Sequence, residues 1–172
     1  MPECFAVGKR YPRSRLTEWM KSAVKFTGII HNATERPGVV ICTSGGVYHE
    51  VAGYRDGPTS EGFWHYGGQP GGNRGPQKAA GNCKVRNSQI VLLFTAHKPT
   101  AEEKARFGKG KQYQCEGVFR VRDEKLLEQG EREIGTDTWT GVGKRLLFIL
   151  ERCSNHYGPY LALCEQGLLA PS

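Results

Sequence analysis

Between Gly53 and Asn82 the chain reads GYRDGPTSEGFWHYGGQPGGNRGPQKAAGN. Nine glycines, three prolines and four aromatic rings share this stretch. Glycine at that density argues against a continuous helix, and the rings argue against a plain linker. One chemistry that needs this mixture is the inspection of a single nucleobase. A base taken out of a duplex needs aromatic faces above and below it, a polar group on its pairing edge and close backbone around it. Each stacked ring contributes about 1–3 kcal/mol. Tyr54 and Tyr66 are the candidate faces, and Trp64 and His65 beside them could also stack. Asp56 can accept from the exocyclic amine of cytosine. Gly53, Gly57, Gly67 and Gly68 let backbone come close. The plainer alternative is a structural turn whose rings plug the core.

The charge supports a polyanionic partner. The net charge is +7, and it is uneven. From Gly62 to Lys111 nine Lys and Arg face two acids, whereas from Glu116 onward seven bases face nine acids. A concentrated positive field draws nucleic acid more often than any other partner. Basic side chains just after the aromatic stretch, Arg74, Lys78, Lys84 and Arg86, are placed to hold backbone phosphates.

Other chemistries lack their residues. His31, His49, His65, His97 and His156 are scattered, so the His-Asn-His cluster of a nuclease is missing. His49-Glu50 has no following Cys-x-x-Cys, as a zinc deaminase would need. Gly108-Lys109-Gly110-Lys111 lacks the Ser or Thr of a phosphate loop. Cys83 beside Lys84 has no His close in sequence to activate it. The six cysteines, at 4, 42, 83, 115, 153 and 164, contain no pair with zinc-ligand spacing and read as small buried hydrophobes. No metal and no cofactor are expected. The start, MPECFAVGKRYPRSR, is basic and has no apolar run, and no stretch is long enough to span a membrane. These features read as an intracellular chain, cytoplasmic and nucleoid-associated in a bacterium or nuclear in a eukaryote.

The elements that must carry these residues are short and mostly extended. Phe5–Val7, Gly38–Cys42, Val47–Tyr54, Gln89–Ala96, Gln112–Val121 and Arg145–Leu150 read as strands. In Gln112–Val121 the residues Tyr113, Cys115, Gly117, Phe119 and Val121 alternate onto one face. Thr17–Phe26 reads as a helix capped by Thr17 or Ser14. Thr100–Phe107 reads as a second helix with a capping box from Thr100 to Glu103. Glu124–Gln129 reads as a helical turn, and the tail after Ser154 fits either strand or helix. The 172 residues suit one domain.

Several of these pieces, in this order, resemble the SRA (YDG) family. They are closest to its bacterial branch, found at the start of HNH-type modification-dependent restriction endonucleases. FAVGKRY resembles the opening strand, Gly28-Ile29-Ile30 the loop after it, and VVICTSGG the next strand. GYRDG resembles the naming signature, with Arg55 where an acid is usual. GFWHYGGQ resembles the second signature, shortened after Tyr66. GNCKVRNSQIVLLF and QYQCEGVFRV resemble the two strands behind. The likeness is strongest over residues 5–122. It implies an α+β, mainly β fold: a PUA-like curved β-barrel with a few short helices, formed by residues 1–172 as a single DNA-reading domain. It implies that Tyr54 and Tyr66 sandwich a flipped base while Asp56 bonds its edge. Ala52 and Gly53 would pass the cytosine 5-position, and Asn82 and Lys84 would lie by the DNA backbone. The implied partner is double-stranded DNA carrying a modified cytosine, 5-methyl- or 5-hydroxymethylcytosine. The implied role is a reader rather than an enzyme, with a homodimer as a candidate assembly. An RNA-binding PUA-like module that does not flip bases is the alternative.

Overall fold

The computed structural model describes residues 4–22, 28–31, 38–43, 48–49, 54–68, 80–128, 144–154, 156–167 and 169–170. In chain order the elements are β1 (Arg10–Pro12), α1 (Arg13–Met20), β2 (Ile29–His31), β3 (Val39–Thr43), β4 (Tyr48–His49) and β5 (Tyr54–Arg55). There follow β6 (Gly57–Pro58), β7 (Trp64–Gly67), α2 (Ala80–Asn87), β8 (Val91–His97), α3 (Ala101–Phe107), β9 (Gln112–Glu128), β10 (Lys144–Arg152) and α4 (Gly158–Glu165).

Strands run β2-β3-β8-β9-β10-β7-β6 in one sheet, with β1 added beside β9; β4 and β5 form a separate pair. Most neighbours are antiparallel, but β3 and β8 are parallel, Val39 against Val91 through Thr43 against Thr95. These two central strands explain the unbroken apolar runs VVIC and IVLLF. A strand covered on both faces need not alternate. Val40, Leu92 and Phe94 face one core with Phe5, Tyr11, Leu16, Trp19 and Leu163, so α1 and α4 cover that side. Val39, Ile41, Val91 and Leu93 face a second core with Trp64, Tyr66, Phe119 and Phe148, the interior of the curved sheet. In the first core Phe5 meets Tyr11 at 4.8 Å, Phe94 at 5.1 Å and Trp19 at 5.5 Å between ring centroids.

The mainly β, curved-sheet expectation holds, and several local readings need correction. The helix near the start is Arg13–Met20, not Thr17–Phe26. It starts after Pro12 and stops at Lys21, whose φ of 51° is left-handed. Thr17 lies inside it, its hydroxyl donating to the Ser14 carbonyl at 3.0 Å rather than capping. Phe5 makes a single bridge to Leu169 instead of opening a strand. The extended segment Val47–Tyr54 is represented by β4 and β5, paired antiparallel. Residues 124–128 continue β9, because β10 pairs with them as far as Lys144 against Glu128. The tail resolves as α4, with a Pro in its first turn.

The alternation in β9 also breaks. Leu93 pairs with Gly117 and Phe94 with Cys115, leaving Glu116 as an extra residue. A bulge of this kind moves every later side chain to the other face. Cys115 therefore joins Val118 in the first core, while Phe119 and Val121 turn to the second.

Gly38 is where β3 must enter against β8. Its φ is +80°, and a Cβ there would collide with the Ile90 carbonyl, which accepts from the Val39 N–H at 3.2 Å. Gly38→Ala combines backbone strain with an overlap that only backbone movement can relieve. It should cost roughly 2–4 kcal/mol. Urea unfolding monitored by tryptophan fluorescence reads this directly; a loss below about 0.5 kcal/mol would mean the entry to β3 is not fixed as described.

Candidate nucleic-acid interface

A tight hairpin places the aromatic stretch. Thr59 and Phe63 close it: the Thr59 N–H donates to the Phe63 carbonyl at 2.8 Å and the Phe63 N–H to the Thr59 hydroxyl at 3.1 Å. Gly62, with φ +87°, makes the reversal. The hairpin sets Gly57 opposite His65 and Pro58 opposite Trp64, which carries Asp56 up to the far end of β7.

Asp56 is 4% exposed. Its Oδ1 accepts from the Gly67 N–H at 2.9 Å and its Oδ2 from the Thr43 hydroxyl at 2.8 Å. Thr43 ends β3 and Gly67 ends β7, so one carboxylate links strands from the two ends of the sheet path. An ionised carboxylate only accepts, so both bonds run into Asp56.

Tyr66 adds a second stitch across the same seam. It is 5% exposed and packs in the inner core, and its hydroxyl lies 2.9 Å from where a Cβ on Gly28 would stand. Trp64, two residues earlier on the same face, is also buried and meets Phe119 edge-on at 6.3 Å. His65 points the other way and is half-buried. Tyr54 is carried by β5, with His49 opposite it. Ala52, Gly53, Arg74 and Lys78 lie outside the described residues.

Sequence reasoning missed α2. The Gly-Asn near its start masked it, although Val85 flanked by Lys84 and Arg86 gave a weak amphipathic signal. This helix separates three of the residues expected at the DNA backbone. Asn82 is fully buried against Gly68, whose missing Cβ leaves room for its amide. Lys84 and Arg86 are half-buried. Arg86 donates from Nε to both oxygens of Glu124 at 3.0 Å, so part of its charge is already matched. Burial lowers the His31 pKa from its ordinary value, and the nearby Lys84 ammonium lowers it further. Burial also pushes the Cys42 thiol up to about 12 and the Cys115 and Cys153 thiols up to about 11. These three stay protonated at neutral pH, the reverse of an activated nucleophile. Among the described residues no three His, Cys, Asp or Glu come together as metal ligands, and no helix is long and apolar enough to cross a membrane.

Two expected outcomes follow from this geometry. Asp56→Asn is more than a change of readout, because both oxygens already serve the seam. The amide nitrogen must face one donor, so the change should cost about 1–3 kcal/mol of stability. Thr43→Val, which keeps the Gly67 bond, should cost less, and equal losses in chemical denaturation would contradict the two-armed arrangement. The second outcome concerns Lys84→Gln. It should raise the His31 pKa toward about 6.5 but not reach it, because burial, the larger cause, remains. With its folded pKa depressed, His31 contributes stability that is present above pH 6.5 and lost as pH falls through the folded value. An NMR titration in which His31 is unmoved by Lys84→Gln would separate α2 from β2.

No family model matches the chain, and no curated protein matches it in sequence. Solved structures do. The chain is similar to the DNA recognition domain of the cytosine modification-dependent restriction endonuclease LpnPI, at 12% identity and TM-score 0.51, over 100% of this chain and 98% of that one. It is similar to KRYPTONITE in complex with mCHG DNA and SAH, at 13% identity and TM-score 0.53, covering 87% of this chain and 32% of that one. It is also similar to the MspJI restriction endonuclease in complex with a 27-mer oligonucleotide, at 15% identity and TM-score 0.50, covering 90% of this chain and 44% of that one. The chain thus spans about a third of KRYPTONITE and under half of MspJI, but nearly the whole LpnPI recognition domain. Identity this low speaks for the fold alone, and the fold of this chain is SRA-like.

Proposed function

We propose that the chain binds duplex DNA and recognises a modified cytosine, 5-methyl- or 5-hydroxymethylcytosine, by flipping it out of the stack. The observation that carries this reading is the burial of Asp56. A carboxylate 4% exposed cannot touch a base edge that stays inside a duplex groove. To reach this buried carboxylate the base must leave the duplex and enter the end of the barrel. A cytosine amine is the donor that an acidic acceptor suits. Tyr66 lines the same seam at similar depth, and Tyr54 arrives on β5 just before Asp56; these two rings supply the stacking faces. Ala52 and Gly53 run by the 5-position, where only small residues leave room for a methyl group, and Gly67 holds the acid in place. Trp64 backs Tyr66 from the core. Arg74, Lys78, Lys84 and Arg86 hold phosphates, and Asn82 fixes the start of α2 behind them. The fold shared with recognition domains, one of them matched along nearly its whole length, supports a reader in a modification-dependent restriction system and not a catalyst.

The test is a competition among otherwise identical duplexes carrying cytosine, 5-methylcytosine, 5-hydroxymethylcytosine or 6-methyladenine. The expected result is preferential binding to one of the modified cytosines. A fluorescent base analogue at the target position should brighten on binding as it leaves the stack. Tyr54→Ala should weaken the modified duplex by about 1–3 kcal/mol and leave nonspecific binding nearly intact. Equal affinity for all four duplexes with no brightening would sink the flipping reading and favour a basic module that holds nucleic acid by charge alone.

A further inference from the structure

Five cations of the basic middle segment take no part in the site above. Lys98, Lys104, Arg106, Lys109 and Lys111 are all exposed and all flank or lie on α3. That helix buries none of its residues. A short helix normally persists by burying an apolar face. This one is held instead by its ends. The Thr100 hydroxyl accepts from the Glu103 N–H at 3.1 Å, and Glu103 Oε1 accepts from the Thr100 N–H at 2.9 Å. Arg10 on β1 reaches the same carboxylate at 3.1 Å. The fold thus anchors a helix that adds nothing to the core; Glu102 and Glu103 balance Lys104 and Arg106 within it, and the flanking Lys98, Lys109 and Lys111 make the surface positive.

The cleft beneath it has the same sign. A cavity of about 610 Å³ separates α3 from β1 and α1; Lys9, Arg10, Arg15 and Arg106 line it together with Glu102 and Glu103, which leaves it net positive, and Phe107 stands at its edge. Phe107 is 43% exposed, and the Arg106 guanidinium lies 4.9 Å from its ring centroid. Position completes the case. Thr43, which holds Asp56, pairs with Thr95, and β8 ends two residues later at His97 just before α3. The helix therefore stands at the barrel end that carries the proposed base site.

We propose that α3 and the turn at 108–111 form a second DNA-contacting surface, which holds the sugar–phosphate backbone of the duplex beside the base read at Asp56. The inference rests on the reading that this chain binds duplex DNA, but not on flipping or on the identity of the base. The occupant is a polyanionic backbone because the surface offers clustered cations and little hydrogen-bonding readout. Such contacts add affinity without sequence preference.

The experiment uses the full chain with Lys104→Gln, Lys109→Gln and Lys111→Gln combined. Binding is measured across a salt series for two duplexes that differ only in one 5-methylcytosine. If each lysine meets a phosphate, the slope of log affinity against log salt should fall by about 2.7 on both duplexes, at roughly 0.9 per phosphate. The preference between the duplexes should not change. The melting temperature should also stay put, since these side chains are exposed, and the corresponding triple Lys→Arg variant should keep the wild-type slope. A wild-type slope in the Gln variant overturns the proposal, whatever the preference. A fallen slope in a protein that never preferred the modified duplex supports this surface while removing the modified-base reading.

Discussion

The Asp56 carboxylate sits in the seam where the curved sheet meets itself. Backbone pairing carries the sheet from β2 to β6, but among the described residues no ladder joins those two ends. Closure falls to side chains. Asp56 ties Thr43 to Gly67, and Tyr66 reaches across to Gly28. An isolated buried carboxylate would cost several kcal/mol, and donors such as the Thr43 hydroxyl and the Gly67 N–H offset much of that cost. The inner core depends on the result, because Trp64, Tyr66 and Phe148 meet Ile29, Ile41 and Leu93 only if the edges come together. The same restraint leaves an acceptor fixed at the barrel end, so stability and the proposed readout share one group.

The central strands show how a small sheet serves two cores. Odd positions of β3 and β8 point into the barrel and even positions toward α1 and α4. The bulge at Glu116 lets β9 contribute to both in turn. Gly117, at φ +114°, follows the extra residue, and the Arg152 guanidinium donates to the Glu116 carbonyl at 2.6 Å. The irregularity is thus held in place by a side chain from β10.

Much of the frame was legible because strong local signals agreed with tertiary demand. The apolar runs at 39–42 and 90–94 could only be covered strands, and Thr100 with Glu103 marked a helix that needs nothing but its caps. Other features hinge on partners distant in sequence. Nothing around Glu116 announces a bulge; the register of β8 creates it. Glu124–Glu128 looks like a helical turn until β10 pairs with it. Arg13–Met20 is set by Pro12 before it and by Lys21 after it, and a periodicity count weighs neither. At the site, the residue types of Asp56, Trp64 and Tyr66 pointed to a shared location, but not to their depth. Depth arises from the seam, and no local pattern encodes where a barrel closes. The depth of Asn82 is hidden for the same reason: a polar residue near basic ones suggests surface, whereas α2 turns it under Gly68.

The parallel pairing of β3 with β8 has a bearing on how the chain comes to be folded. Thr43 and Val91 bracket β4 to β7 and all of α2, so the crossover between two adjacent strands contains nearly every residue of the proposed base site. Loop-closure entropy must be overcome before such a contact stabilises anything, and folds rich in distant pairings form slowly. The barrel end that holds Asp56 cannot be assembled ahead of this step, since Thr43 is positioned by β8 and Gly67 by β10. During synthesis the first 90 residues therefore hold the pieces of the site without the strand that aligns them. The proposed site is completed late, once β8, β9 and β10 have emerged and drawn the crossover shut.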